Sequence, residues 1–370
     1  MTGNPLIKVL SDPKVMAGFD EADWDQVIRM ARASGLLSTL NTLACQVPDT
    51  AQPPARIMAH LAAAGTVARQ HHAQTRWEVE GIHELLLRAG IPVVVLKGAA
   101  YVMAGLEAAQ GRLFGDLDIL VPRGALADAE RILDRAGWQQ ENKSRYDDRY
   151  YRRWMHEVPP RRHHSRGTVI DMHHSILPLT ARHRPDVKDL WAEARTIDGF
   201  EDLYVLAPED MLLHSASHLF LNGEFERGLR DLYDFVRLGR QFGQDPTFWT
   251  RVATRAAQLD LTDPLHDATR YANRILGAGF PASGAVAKRT RPFMDTLFER
   301  GLQPNHRLAH DRWTAWALFC LYVRGHYLRM PFRLLLPHLL YKATLGKFSE
   351  IKAVEQEQAT LRAFKDFLVK

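Results

Sequence analysis

The 370-residue sequence has little cysteine: Cys45 and Cys320 are its only two, and they lie far apart. A disulfide framework is therefore excluded, as are zinc sites built from closely spaced cysteines. The sequence has no run of about 18 apolar residues that would span a bilayer. It also has no cationic segment leading into an apolar one near residue 1. We expect a cytoplasmic protein that is neither secreted nor membrane-spanning.

A strong charge of one sign is also lacking, because 48 basic residues nearly balance 43 acidic ones and the formal net charge is +5. This small basic excess favours polyanionic partners such as nucleotides, RNA or anionic lipid without choosing among them. Hydrophobic residues make up 46% of the chain and charged residues 25%, which is typical of folded globular proteins. The length is sufficient for two or three lobes.

Three regions of different periodicity follow one another along the chain. Apolar residues recur at helical spacing through about the first eighty residues. A β-branched run at Val93–Val95 then predicts a buried strand, and helix and strand patterns alternate after it. From about Pro208 onward the pattern is helical again. We predict an α+β fold with an N-terminal helical region (1–80), a small mixed-sheet α/β core (81–200) and a C-terminal helical domain (201–370).

The segment 116–121 reads as a short strand with two aspartates on alternate positions. Asp116 and Asp118 therefore share one face of the strand, while apolar residues point to the other. Two carboxylates this close repel each other, and burying an unpaired charge is costly. A divalent cation removes that cost, and oxygen ligands select a hard ion such as Mg²⁺, with Mn²⁺ as the alternative.

A third carboxylate, Asp171, lies on the predicted strand TVIDMHHSI. If this strand lies beside 116–121, three carboxylates converge on one patch of a sheet. Such a patch can hold two metal ions that clamp a triphosphate and activate an attacking hydroxyl. Between the two strands, the aromatic and polar alternation over 145–162 predicts a further, more exposed strand.

Three stretches in this order resemble a known fold: VVVLKGAAYVM, GRLFGDLDILV and TVIDMHHSI. They look like the nucleotidyltransferase fold of the DNA polymerase beta-like superfamily. More narrowly, they resemble a bacterial family of uncharacterised nucleotidyltransferases with an LKG turn, an R-x-x-x-D-x-D strand and a later D-x-H strand. The resemblance covers roughly residues 80–240, since the helical segment after Pro208 also looks like that family's downstream region.

The resemblance implies a role for each matching residue. Asp116 and Asp118 become metal ligands, and Asp171 becomes a third ligand and general base. Lys97 and Gly98 occupy the turn that meets the triphosphate, where a glycine lets the backbone approach the phosphates. Arg112 is a second candidate for phosphate.

Two positions of the helical region and one departure from the superfamily complete this comparison. His218 and Arg230 match family positions that line the nucleotide pocket, although a core or interdomain contact explains such residues equally well. The superfamily usually has Gly-Ser or Gly-Gly in the phosphate turn, whereas this chain has Ala99 after Gly98. A hydroxyl contact to phosphate is therefore missing.

These inferences predict a Mg²⁺-dependent nucleotidyltransferase. It would transfer a nucleoside monophosphate from an NTP to an unidentified small-molecule or macromolecular acceptor and release pyrophosphate. One alternative is a catalytically silent nucleotide-binding regulatory protein, suggested by Ala99. Another is an enzyme that modifies RNA or tRNA ends, suggested by the basic balance.

Two remaining features have more than one interpretation. The histidines do not indicate a transition-metal hydrolase, because neighbours on a strand face opposite sides and no H-E-x-x-H accompanies them; they are His163, His164, His173 and His174. The stretch 312–348 mixes arginine and lysine with aromatics and contains no acid. It suits peripheral contact with anionic lipid, but packing on the helical lobe with the arginines outward is the favoured interpretation.

Overall fold

The computed structural model describes residues 3–140, 151–281 and 291–330. Its helices are α1 (Pro5–Ser11), α2 (Glu21–Ala33), α3 (Leu37–Gln46), α4 (Ala55–Leu87), α5 (Lys97–Met103), α6 (Leu126–Arg135), α7 (Val187–Glu193), α8 (Pro208–Asn222), α9 (Gly228–Phe242), α10 (Phe248–Gln258), α11 (Thr262–Leu276), α12 (Pro292–Gly301) and α13 (Thr314–Arg329). Short 3₁₀ turns lie at Pro13–Gly18, Asp49–Ala51, Glu107–Ala109 and Arg123–Ala125. The strands are β1 (Val93–Val95), β2 (Asp116–Leu120), β3 (Trp138–Gln140), β4 (Arg161–His163), β5 (Val169–His173), β6 (Arg195–Thr196) and β7 (Leu203–Val205).

The strands form one mixed sheet in the order β3-β4-β5-β2-β1-β7-β6. β2 runs parallel to β5 and antiparallel to β1, and β1 runs parallel to β7. The β-branched run of β1 is buried throughout, as expected for a central strand covered on both faces. This mixed sheet flanked by helices confirms the predicted α+β class.

The register of β2 against β5 brings the acidic residues together. Asp118 lies opposite Asp171, and Asp116 lies opposite Val169. Directly opposed residues on neighbouring strands point to the same face of a sheet. All three aspartates therefore lie on one face of the sheet. Asp116 and Asp118 are two residues apart along β2, and Asp118 and Asp171 lie side by side across β2 and β5.

Helices precede and follow the strands of the sheet along the chain. α3 packs along α4, and α8 contacts α9, α10, α11 and α13. The helical prediction is confirmed for the first region and for the described residues after Pro208. Pro208 is the first residue of α8, where its missing N–H costs nothing. The predicted domain boundaries at 80 and 200 stay predictions; α4 continues to Leu87, and β7 adds a strand to the sheet beyond residue 200.

The expectation of one exposed strand over 145–162 is wrong in part. Residues 151–154 are helical, and only Arg161–His163 form a strand; residues 141–150 lie outside the described residues. Arg152 holds the helical turn through two hydrogen bonds to Glu130, of 2.8 and 2.9 Å. Arg161 is buried and also bonds Glu130. Arg152 and Arg161 therefore pair with a buried acid on α6. The sequence did not indicate the strands β3, β6 and β7.

The arginines of α13 face inward rather than outward, which corrects the interpretation favoured from the sequence. Arg324 donates to the carbonyl of Phe220 at 2.6 Å, and Arg329 donates to the carbonyl of Asn222 at 2.5 Å. The exposed side chains of this region are instead aromatic, including Trp316 at 46% and Phe319 at 62% exposure. The reason is that carbonyls at the end of α8 need donors, which long basic side chains can supply. Residues 331–348 of the predicted lipid-contact stretch lie outside the described residues.

Over the described ranges, no helix combines the length and the apolar character needed to cross a membrane.

Gly111 joins the N-terminal helices to the start of β2. Its φ is +75°, and an added Cβ would lie 2.5 Å from the Ser38 carbonyl oxygen. Its own carbonyl accepts hydrogen bonds from the Ser38 hydroxyl at 2.8 Å and the Thr39 hydroxyl at 3.3 Å. This contact ties α3 to the turn that precedes Arg112.

We predict that Gly111→Ala destabilises the protein by about 2 kcal/mol or more, because left-handed strain and overlap with α3 add together. Gly105→Ala is the matched control, since Gly105 has φ +63° but no atom within 4 Å of an added Cβ. Its loss should be the conformational strain alone, about 1 kcal/mol. Urea unfolding measures both, and equal losses would contradict the packing account.

Candidate active site

Asp118 lies at the centre of the acidic patch and is 4% exposed. Its Oδ1 atom accepts hydrogen bonds from Lys97 Nζ at 2.6 Å and from His173 Nε2 at 2.8 Å. Lys97 is the first residue of α5, shortly after β1, and His173 is the last residue of β5. Three separate elements therefore meet at one carboxylate oxygen.

Lys97 adopts a strained backbone conformation to reach Asp118. Its φ is +47°, in the left-handed region that residues other than glycine rarely occupy. Strained residues of this kind concentrate at functional sites, where the surrounding structure holds them in place. Burial by itself lowers the pKa of Lys97, but the neighbouring Asp118 carboxylate outweighs that effect and the pKa is raised. Lys97 is therefore a permanent cation in the patch.

The three aspartates differ in their pKa values because their neighbours differ. Burial alone would raise the pKa of Asp118, but the charge of Lys97 and the hydrogen bond from His173 hold it well below its ordinary value. Burial and the Asp118 charge raise the pKa of Asp116. Burial, followed by the charges of Asp118 and Glu157, raises the pKa of Asp171 to about 7. Asp116 and Asp171 thus lack enough neighbouring positive charge to offset their burial and mutual repulsion.

This arrangement fits a hard divalent cation. Asp171 Oδ1 is buried without a hydrogen-bond partner among the described residues, and like-charged carboxylates lie directly across the strand pair. Oxygen atoms held in this way are the ligands that Mg²⁺ and Mn²⁺ prefer. The residues that would hold the ion are Asp116, Asp118 and Asp171.

A cavity of about 160 Å³ opens next to the patch. Its lining includes every site residue predicted from the sequence except Asp171, together with residues of α8 and α9: Lys97, Gly98, Tyr101, Arg112, Phe114, Asp116, Asp118, Ser215, His218, Arg227, Arg230, Asp231 and Asp234. The structure therefore brings the turn, β2 and the helical region around one space. The role of each residue there stays a prediction.

The predicted phosphate-binding residue Arg112 and the predicted nucleotide-pocket residue Arg230 already have acidic partners on α9. Arg112 Nε donates to Asp234 Oδ2 at 2.5 Å, and an Arg112 Nη2 atom lies 3.7 Å from Asp231. Arg230 Nη2 donates to Asp231 at 2.6 Å. Sequence reasoning missed Asp234, although its spacing of three residues from Asp231 places both on one helix face. A phosphate entering this cavity has to compete with these carboxylates for the guanidinium groups.

Gly98 has a steric reason to lack a side chain. A Cβ there would overlap the Arg112 guanidinium and lie 2.7 Å from Phe114 Cδ1. Arg112 Nη1 is itself buried without a hydrogen-bond partner among the described residues. The glycine thus makes room for Arg112 beside the phosphate turn, a reason that its sequence motif does not reveal.

Two further cavities share lining residues with this one. A cavity of about 890 Å³ shares His218, Arg227, Arg230 and Asp231 with it. A cavity of about 240 Å³ shares Phe114 and Asp116 with it and is also lined by Thr168, at the start of β5. Asp116 therefore lines both the central cavity and the cavity beside the start of β5.

Glu157 is a site residue that the sequence did not indicate. It pairs with His173 through an isolated β-bridge, and its Oε2 atom lies 3.5 Å from His173 Nδ1. The segment around it was expected to be an exposed strand, so its acid was not counted. A His-Glu pair just before Pro159 was the only local signal.

A family model described as an uncharacterised nucleotidyltransferase matches residues 20–277. The matched range contains the whole sheet and all predicted site residues. No curated protein and no solved structure matches the chain significantly.

We predict that Asp171→Asn stabilises the protein in chelator, with the gain largest at pH 8. The folded-state pKa of about 7 lies above the ordinary 3.8, so the folded state holds a proton that the unfolded state has lost between these values. The free energy of unfolding therefore falls as pH rises from about 4 to 7. Asparagine does not ionise, so the variant does not lose this stability as pH rises.

Thermal melting at pH 5 and pH 8 tests this expectation. The melting temperature of the variant should rise by roughly 2 °C or more at pH 8, and by less at pH 5. Asp198→Asn is the control, because Asp198 is exposed and its substitution should change neither value. A variant that melts lower than wild type at pH 8 would contradict the raised pKa.

Proposed function

Because the chain belongs to the uncharacterised nucleotidyltransferase family, we propose that it transfers a nucleoside monophosphate from an NTP to an acceptor hydroxyl or phosphate. Membership supports the transfer of nucleotidyl groups as the general activity. The single observation that carries the finer proposal is the β2–β5 register, which sets Asp118 opposite Asp171 beside a cavity containing Lys97 and Arg112.

The proposed metal ligands are Asp116, Asp118 and Asp171. Bound Mg²⁺ would neutralise charge on these carboxylates and on the triphosphate. The Lys97 ammonium bonds Asp118 in this structure. Once Mg²⁺ neutralises Asp118, a phosphate oxygen is an equally good acceptor for the ammonium. We assign Lys97 to the triphosphate.

The proposed reaction is an in-line displacement at the α-phosphorus. The acceptor oxygen forms a bond to that phosphorus, the bond to the bridging oxygen of the β-phosphate breaks, and pyrophosphate leaves with the electron pair. The proton of an acceptor hydroxyl passes to the Asp171 carboxylate.

The cavities suggest where the two substrates lie. The cations Lys97 and Arg112 favour the triphosphate in the central cavity. The larger cavity continues from Arg230 and is lined by Phe319 and Tyr322, which offer flat surfaces for a base. The acceptor would then occupy the cavity of about 240 Å³ beside the start of β5, and this volume favours a small molecule.

A silent nucleotide-binding protein is the second candidate, and one observation favours it. Arg112 and Arg230 are bound to Asp234 and Asp231, and the turn residue Ala99 is buried and has no hydroxyl. Such a protein would bind NTP with Mg²⁺ in calorimetry and transfer nothing to any acceptor.

We predict that Asp116→Asn lowers label transfer from NTP by about 100-fold or more, because charge stabilisation by a metal ligand is lost. Labelled NTPs, Mg²⁺ and a metabolite extract are incubated with wild type and variant, and labelled products are separated. Asp198→Asn is the control and should match wild type. Transfer that survives in Asp116→Asn would refute the assignment, and binding without transfer in wild type would favour the silent protein.

We also predict that Tyr322→Ala weakens NTP binding by about 5- to 100-fold, the range expected from losing one stacked base at roughly 1 to 3 kcal/mol. Trp316→Ala is the matched control, because Trp316 is an exposed aromatic on the same helix that does not line the cavity. Calorimetric titration with each NTP measures both. Equal affinities for the two variants would place the base elsewhere.

A further inference from the structure

A largely buried group of His156, Glu157 and His173 lies beside the aspartate patch, which it contacts through the His173–Asp118 hydrogen bond. One potential ligand atom from each residue lies within 4.8 Å of the others. The backbone holds the group together: Glu157 bridges to His173, and the His156 carbonyl accepts the amide protons of His174 at 2.8 Å and Ser175 at 3.2 Å. The three side chains therefore meet because their backbones are joined to the end of β5.

The hydrogen bond to Asp118 determines which nitrogen of His173 is free. His173 Nε2 lies 2.8 Å from Asp118 Oδ1, and a carboxylate can only accept, so Nε2 carries the proton. In the neutral ring, Nδ1 then presents a lone pair. That atom lies 3.5 Å from Glu157 Oε2 and has no hydrogen-bond partner among the described residues. A lone pair facing a carboxylate is unfavourable unless a positive charge lies between them.

His156 supplies a second imidazole beside Glu157, with its ring centroid 5.1 Å from that of His173. It is 9% exposed, and its Nε2 atom lies 3.9 Å from Glu157 Oε2. Its Nδ1 atom also has no hydrogen-bond partner among the described residues. In its neutral form the ring carries a lone pair on one nitrogen, which can bind a metal ion.

We propose that His156, Glu157 and His173 bind a transition-metal ion of the Zn²⁺ type at a site separate from the three aspartates. Two imidazoles and one carboxylate suit Zn²⁺ or Co²⁺, whereas Mg²⁺ prefers oxygen ligands alone. The Asp118–His173 pair supplies the carboxylate that usually receives the other N–H of a ligating histidine. The histidines weighed from the sequence did not include His156, which the fold adds.

The distances require a modest adjustment on binding. Ligand atoms about 2.1 Å from a tetrahedral ion lie about 3.4 Å apart, compared with separations up to 4.8 Å here. Glu157 Oε2 already lies 3.5 Å from His173 Nδ1 and 3.9 Å from His156 Nε2. Most of the contraction therefore has to bring the His156 ring toward His173, which is already held by Asp118. A bound ion would thereby keep His173 in one tautomer and hold Asp118 in position for the neighbouring site.

The alternative is a protonated His173 that bridges Asp118 and Glu157 without any metal. It predicts that the protein takes up no Zn²⁺ at this group. The proposal and this alternative therefore differ in metal binding, which is measured without reference to nucleotidyl transfer.

The test uses the full chain, stripped with chelator and held in excess Mg²⁺ to occupy the aspartates. Calorimetry follows Zn²⁺, and visible absorption follows Co²⁺. We expect one equivalent of either ion in wild type, with affinity lowered 10-fold or more in His156→Ala. His164→Ala is the matched control, because His164 is exposed on the neighbouring segment and should bind as wild type does.

Glu157→Gln is the second variant, since it keeps the side-chain shape if His156→Ala fails to fold, as circular dichroism would show. It should also lose affinity 10-fold or more. No Zn²⁺ uptake by wild type, or equal affinity in wild type, His156→Ala and Glu157→Gln, would overturn the proposal. Because the readout is metal binding, failure of nucleotidyl transfer would leave this result unaffected.

Discussion

The pairing of β2 with β5 is the constraint on which the rest of the site depends. This register sets the carboxylates of Asp118 and Asp171 side by side on one face. Acidic groups in such a place raise one another's proton affinity, and burial adds to the effect. The ionised carboxylates therefore repel one another unless cations lie near them. The surrounding structure supplies such cations.

Basic side chains from different elements lie near the carboxylates, but they do not neutralise all of them. Lys97 satisfies Asp118 through a strained backbone, whereas Asp171 keeps a buried oxygen without a partner among the described residues. Arg112 is nearby but is committed to Asp234. The protein thus holds a surplus of negative charge at the strand pair and neutralised arginines at the helical side. A divalent ion and a polyphosphate together complement that division.

Much of this arrangement was predictable, and the failures have physical reasons. The alternation of Asp116 and Asp118 and the buried character of Val93–Val95 are local properties that periodicity reports directly. The segment around Glu157 was misread because a helical turn and a short strand succeed each other within a dozen residues. The inward direction of Arg324 was also missed, since composition does not tell which carbonyls lack donors.

The sequence by itself determined the sheet core, the flanking helices and the shared face of the two aspartates of β2, because strand alternation depends only on neighbouring residues. Tertiary structure alone decided which charge meets which. Lys97 and Asp118 are 21 residues apart, His173 and Asp118 are 55 apart, and Arg112 and Asp234 are 122 apart. Such contacts depend on how separate elements pack, and no local pattern encodes that packing.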